Sequence, residues 1–598
     1  MGLAERWMAV DAAGRAEGIA RARQRVGVPE LAERATWSTR DRSAVQAILA
    51  EAEADRLQPW PHTLLSDYAR FWRDGVRTAY EDPAGELRRR TSTAVVAAVL
   101  TADQAYVDQA ADGLLLLCEQ TTWCWAAHES FATERQEVLG DPDQPYLDLG
   151  AAETGQILAW ADLVLGSALD QRVPGLRRRL RAEVRRRVIQ PFRTDRRWHW
   201  LGLTGHLSNW TPWIHGHILA AALFLEDDAE IQREVVDLVI EGLDRYLESL
   251  PADGGCDEGY SYWWNGPARL VEALEVLDRI TDGAFAPWSC TPLAELARYP
   301  QRMALGDGWY VNVADGSARP NPNQPWHILH RWGRRNDDAG VMAQAAAHRD
   351  QPIAPAVGLG RALVGLTDDV WWASAKTSLP LPRSTYLADL QLLVVRETAG
   401  SSRGLTLAIK GGHNNENHNH NDVGSFIAAL DGVPVLIDLG QPTYTALSFS
   451  DRRYEHWVVR SDWHNVPLLN GQEQSAGADY RATDVVATEN SLALGLSGSP
   501  CRRVATLDAG VITIADEWEG TAEQHFVLAG TPLDQQPDRL VVQTLADGRV
   551  DLTWTGGAGR VEQRLVDDDL LASVWGPAVH RLVIPVDGTT FTLTISPS

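Results

Sequence analysis

Residues 411–426 read GGHNNENHNHNDVGSF, and residues 432–444 follow with the apolar run GVPVLIDLGQPTY. His413, Glu416, His418, His420 and Asp422 crowd into ten residues immediately before a β-type segment. His418, His420 and Asp422 alternate with Asn417, Asn419 and Asn421, so an extended backbone would carry both imidazoles and the carboxylate on one face. Such a face suits a metal, a proton relay or both. The plain alternative is a polar turn whose Asn and His side chains satisfy local backbone groups. Neighbouring imidazolium groups repel, so at least one ring is expected to be neutral, the form that ligates a metal or accepts a proton.

Asp438 ends the apolar run, where a buried carboxylate needs a partner. Farther on, residues 452–474 read RRYEHWVVRSDWHNVPLLNGQEQ, with His464 placed after an aromatic-rich expected strand and before another. Two histidines and one carboxylate with an open position suit zinc or a similar divalent ion, and His420, Asp438 and His464 are the chosen set.

Two textures divide the 598 residues, although length alone would allow about four domains. Up to about residue 366 the apolar spacing is helical, as in residues 151–168, 231–250 and 267–280. Helix follows helix, as in a toroid or solenoid, without a short sequence repeat. From about residue 378, short Val, Ile, Leu and Thr runs punctuated by Gly, Asp and Pro predict many antiparallel strands. Prolines in TSLPLPRSTY, residues 377–386, interrupt both periods, so the expected domains are residues 1–376 and 377–598.

The sequence as given opens without an apolar core of signal-peptide length, and no stretch reaches the roughly 18 to 20 apolar residues of a membrane span. Five scattered cysteines suggest no disulfide framework. The expected location is the cytoplasm. A net charge of -25 argues against a nucleic-acid partner. It also repels polyanions, but screening within roughly 8 Å lets local arginines govern a site. Residues 173–198 hold a basic cluster that reads either as such a local feature or as a solvated helix face balanced by acidic neighbours. Charge and location together favour short partners over long polyanions. Whether the chain forms a homo-oligomer stays open.

In the helical half, Thr211-Pro212 reads as a helix start, leaving Asn209 in the loop before it. Pro267 opens another helix, leaving Tyr262 in its preceding loop. One helix lies between, near residues 230–250, so the chain returns to the same end and Asn209 and Tyr262 should share a rim.

The run from Lys410 to Gln474, with HNHNDVGSF, Asp-Leu-Gly, Tyr444, RSDWHN and NGQEQ, resembles the heparinase II/III-like family of polysaccharide lyases. SNWTPWIHGHILAAALFL, residues 208–225, and PADGGCDEGYSYWWNGPARLVEALEVL, residues 251–277, are similar to that family's two helical active-site segments and stand in the same order. The resemblance spans roughly residues 195–475. It implies an N-terminal incomplete (α/α) toroid, a C-terminal antiparallel β-sandwich, and β-elimination on acidic oligosaccharides or polysaccharides containing uronic acid.

By the same resemblance, Asn209 would bind the uronate carboxyl group, Tyr262 would act as base, acid or both, and His418 would be the second proton-transfer or neutralising group. The metal at His420, Asp438 and His464 would be structural. His215, Glu258, Trp263, Tyr454 and Arg460 are further candidates for the substrate side, with Glu258 orienting Tyr262 and Arg460 pairing with a carboxylate. The 24 tryptophans include Trp210, Trp213, Trp263 and Trp264 near the expected site, where indole faces can stack on sugars. Departures such as WTPWIHGH argue for a distinct subfamily and against carrying over heparin as the substrate. Two other readings stay open. A glycoside hydrolase would use carboxylates from the acidic loop at Asp253, Asp257 and Glu258, and a silent sugar-binding protein would keep the cleft without turnover.

Overall fold

The computed structural model describes residues 2–38, 42–205, 207–498 and 500–598. Its first half is an array of α-helices. Leu149–Arg172 and Trp210–Leu225 are apolar nearly all round and pack against each other inside the array. Ala229–Ser249 and Pro267–Ile280 are amphipathic and both pack on Trp210–Leu225; Ala229–Ser249 turns its polar face to solvent, whereas Pro267–Ile280 has no exposed position. The last helix of this half, Asp369–Ala373, and the first long-sheet strand, Ser384–Leu387, flank the proline-interrupted segment.

The second half is a sandwich of two antiparallel sheets. The outer sheet has alternating burial, as in Ser491–Leu496 and Val511–Trp518, the pattern of a sheet with one wet face. In the inner sheet, Leu392–Arg396, Leu405–Lys410 and Phe426–Leu430 are buried at every position. Successive side chains there serve two cores. Leu393, Val395, Leu407 and Ala428 face the sandwich interior, whereas Leu392, Val394, Ala408 and Ile427 join the core of the helical half. Each fully buried aliphatic side chain contributes about 1.5 to 3 kcal/mol relative to exposure. The shared sheet therefore holds the two halves in a fixed relation, and the rim of the helices meets the loops of the sandwich.

Three local structures differ from the sequence expectation. Residues 452–464 form three short 3-10 turns, Arg453–Glu455, Trp457–Val459 and Ser461–Trp463, instead of a long strand. Polar side chains compete with a ladder there: the His456 ring accepts the Val458 N–H, and Trp457 packs edge-on against Trp463. A small hairpin, Ala304–Gly306 with Trp309–Tyr310, interrupts the helices. It is held to the sandwich by Arg396, whose guanidinium donates to the Ala304 carbonyl at 2.8 Å. Residues 417–422 are irregular, and His418 has φ of +56°, which ends the strict alternation read from the sequence.

Candidate active site

The helix Trp210–Leu225 begins two residues before Pro212, the expected first helical residue, so Asn209 is its N-cap residue. Tyr262 lies in the helical turn Tyr260–Trp263, just before Pro267–Ile280. The up-and-down helix order brings both to one cleft of about 770 Å³, where His418 and Tyr444 meet them from the sandwich.

These groups are held by a dense polar network. Glu258 accepts the Asn209 backbone N–H at 2.8 Å, and its other oxygen accepts the Asn209 side-chain amide. Glu258 also lies 3.3 Å from His418 Nε2. Its partners are thus Asn209 and His418 and not Tyr262, the residue it was expected to orient. The Tyr262 hydroxyl is 2.6 Å from that of Tyr444, and the Tyr262 and His418 rings stack at 4.1 Å. The Asn209 Oδ1 atom is buried without a protein partner, so the amide retains polar capacity for a ligand.

Asp315 joins the site from a turn after the small hairpin, a position for which nothing in the sequence reading provided. Its fully buried carboxylate meets His418 Nδ1 at 2.9 Å and His420 Nε2 at 3.0 Å. It also accepts from the Tyr444 hydroxyl at 2.8 Å and from Arg453 at 2.9 and 3.0 Å. Burial alone would raise its pKa, but His418, His420 and Arg453 hold it well below the usual carboxylate range. Burial likewise opposes charge on His418, yet Asp315 and Glu258 push its pKa up to about 9. The imidazolium is therefore the form favoured near neutrality. Tyr262 moves upward, because burial and the Asp315 charge both disfavour a phenolate. Its resting state is a phenol.

Behind this cleft, His420, Asp438 and His464 converge in full burial, with one ligand atom from each lying within 4.8 Å of the others. His420 directs Nε2 to Asp315, and His464 directs Nδ1 to the Arg460 carbonyl at 2.7 Å. Both remaining nitrogens then face inward, 3.2 Å apart, with Asp438 at 4.0 and 3.5 Å. Two lone pairs and a carboxylate turned towards one point fit a divalent cation, and the outer contacts fix both ring tautomers for it. Asp438 is anchored by Gly440 N–H at 2.8 Å and by the Asn312 amide, which donates to its carbonyl at 2.9 Å. Gly440 itself has φ of +74°, and a Cβ there would strike the Gly316 carbonyl at 2.1 Å, so only glycine lets this loop reach the Asp315 turn.

Four expected substrate contacts are placed elsewhere. His215 is buried one turn into its helix, packed edge-on against Phe192 and Trp200, with Nδ1 on the Thr211 carbonyl and its pKa lowered by burial to about 3. Trp263 is core, stacked on Trp332 and donating to the Leu296 carbonyl at 3.0 Å. Tyr454 accepts from Asn419 at 3.0 Å, and Arg460 pairs with Glu473 on the surface; neither lines the cleft. By contrast, Trp210 and Trp213 do line it. Much of the basic cluster is engaged in ion pairs, including Arg177 with Asp162, Arg185 with Glu226 and Arg193 with Glu234.

No family model and no curated protein matches the chain. Solved structures do. A heparinase III structure is 12% identical over 92% of this chain and 85% of that one, with a TM-score of 0.61. Heparan sulfate lyase HepC from Pedobacter heparinus is 12% identical over 93% and 88%, with a TM-score of 0.53. Streptomyces coelicolor A3 chondroitin AC lyase, solved in complex with chondroitin sulphate, is 12% identical over 95% and 82%, with a TM-score of 0.51. The likeness establishes the shared architecture of helical toroid and antiparallel sandwich.

Proposed function

We propose that the protein is a polysaccharide lyase that cleaves uronic-acid glycans by β-elimination, leaving a 4,5-unsaturated uronate. The observation that carries this reading is the convergence of Asn209, Tyr262 and His418 in one interdomain cleft of a fold shared with lyases acting on acidic glycans. Elimination requires that the carboxylate beside C5 be neutralised, that the C5 proton be removed, and that the departing C4 oxygen receive a proton.

His418 fits the first task. Asp315 and Glu258 bracket its two nitrogens, so it acts on the substrate through positive charge, while the Asn209 amide supplies hydrogen-bonding capacity. Tyr262 carries the proton transfers. As a phenol it can protonate the leaving oxygen, and when it serves as base its own proton can shift across the 2.6 Å contact to Tyr444 as Tyr444 passes its hydroxyl proton on to Asp315, 2.8 Å away. The adjacent imidazolium ring favours the transient phenolate.

A divalent ion, zinc being the natural candidate, would be held by His420, Asp438 and His464. Its contribution when bound is to tie together three loop segments, because the ligands face away from the cleft. Protein purified without chelator is expected to contain about one divalent ion per chain by elemental analysis, with a lower melting temperature after chelation. An ion-free protein whose stability is unchanged by His464→Ala would remove the metal assignment.

A preference for short chains or chain ends is supported by the wall at one side of the cleft. There the segment before the helix Thr78–Thr101 pairs with the sandwich loop through the Val76–Thr445 bridge and the Ala446 N–H to Gly75 carbonyl bond at 3.0 Å. The hydrolase alternative is less well supported. Glu258 is engaged by Asn209 and His418, Asp257 accepts from Asn417 at 2.9 Å and Glu81 from Arg77 at 2.8 Å, so no pair of free carboxyl groups stands among the described residues lining the catalytic cleft. Incubation with uronate oligosaccharides tests the reading directly. Ultraviolet absorbance of the conjugated product is expected, whereas new reducing ends without absorbance would indicate hydrolysis.

A further inference from the structure

The catalytic cleft continues into a second lobe of about 530 Å³, and Ser208 and Asn417 line both. Asp257, Glu258, Asp389 and Glu416 stand on the wall of the second lobe; Asp257 is bonded to Asn417, Glu258 to Asn209 and His418, and Glu416 to the buried Lys410 at 2.9 Å, which leaves Asp389 as the exposed carboxylate of the four. Among the described residues lining the two lobes there is no lysine, and the one arginine, Arg77, is bonded to Glu81 at 2.8 Å. Sulfate esters are usually held by free arginine forks or lysines. This cleft gathers Asn209, Tyr262 and His418 at one point for an incoming uronate and opens into an acidic compartment next to it.

We propose that the substrate is an unsulfated glycan in which a uronate alternates with a sugar free of anionic groups. This rests on the lyase reading. The uronate lies against Asn209, Tyr262 and His418, with Trp210 and Trp213 offering indole faces to the sugar. The neighbouring sugar enters the acidic lobe, where Asp389 accepts hydrogen bonds from its hydroxyl or amino groups and, with the acidic wall behind it, repels a sulfate or a second uronate.

The test measures kcat/KM for unsaturated-product formation on two panels. One contains hyaluronan, heparosan and unsulfated chondroitin, and the other contains chondroitin sulfate, heparan sulfate, glucuronan and alginate. At least one member of the first panel should exceed every member of the second by about tenfold, with the margin narrowing at high salt. A sulfated or all-uronate polymer cleaved equally well would overturn the substrate inference while leaving the lyase reading intact. No unsaturated product from any polymer would remove both. Asp389, exposed on the acidic wall, gives an independent check. Asp389→Asn and Asp389→Lys should progressively raise the ratio of sulfated to unsulfated turnover, by about threefold to tenfold for the lysine. An unchanged ratio in both folded variants would show that the acidic lobe does not select the substrate.

Discussion

Tyr262→Phe is expected to lower kcat by about 10² to 10⁴-fold while leaving the protein folded, because it removes the hydroxyl assigned to both proton transfers. The structural cost should be small. The lost contact is one hydrogen bond, worth about 0.5 to 1.5 kcal/mol, and Tyr444 keeps its own bond to Asp315. The ring and its stacking on His418 are retained. Initial-rate kinetics with an unsaturated-product readout, alongside a thermal melt, separate chemistry from folding. KM should change little, since the hydroxyl is used mainly in the transition state. Full activity in the variant would refute the assignment, even if product absorbance had already established a lyase. A large loss in Tyr444→Phe together with an active Tyr262→Phe would transfer the proton-carrying role to Tyr444.

The distribution of what could be read from the sequence has physical reasons. Asn209 and Tyr262 were legible as one rim because helix direction alternates, and helix starts carry local signals in Thr, Pro and Gly. The grouping of His420, Asp438 and His464 was legible because its residue types are rare together near a strand. Helical and β textures also separated cleanly, since each period is a local property of side-chain burial. Asp315 was not legible. It occupies a short turn 103 residues before His418, and an Asp-Gly pair there looks like any surface turn until the sandwich covers it. The candidates Trp263 and His215 failed for a related reason. Proximity along the chain to Tyr262 or Asn209 says nothing about which side of a helical turn faces the cleft, and both side chains turn into the core. Even the HNHND stretch brings its two histidines into place by a different route from strand alternation. His418 adopts a left-handed backbone, and both it and His420 meet the two oxygens of a single distant carboxylate.

Asp315→Asn is therefore expected to disturb catalysis, metal binding and stability together. The carboxylate is buried among His418, His420, Tyr444 and Arg453, and removing one member of a buried charge network leaves the others without compensation, at a cost of about 3 to 5 kcal/mol. The amide can still accept through one oxygen, but it cannot satisfy His418 and His420 on separate oxygens. Metal affinity should fall about 10 to 100-fold as the His420 ring loses its orienting partner, and turnover should fall because His418 loses the charge that favours its protonated form. His418→Gln is the control: it should depress turnover while sparing metal content, because His420 keeps Asp315. Metal stoichiometry under competing chelator, thermal melts and product formation would be measured on both variants. If Asp315→Asn lost activity alone, with metal affinity and melting temperature unchanged, Asp315 would serve only the cleft. The carboxylate would then not be the physical link by which His420 and His418 are held in register.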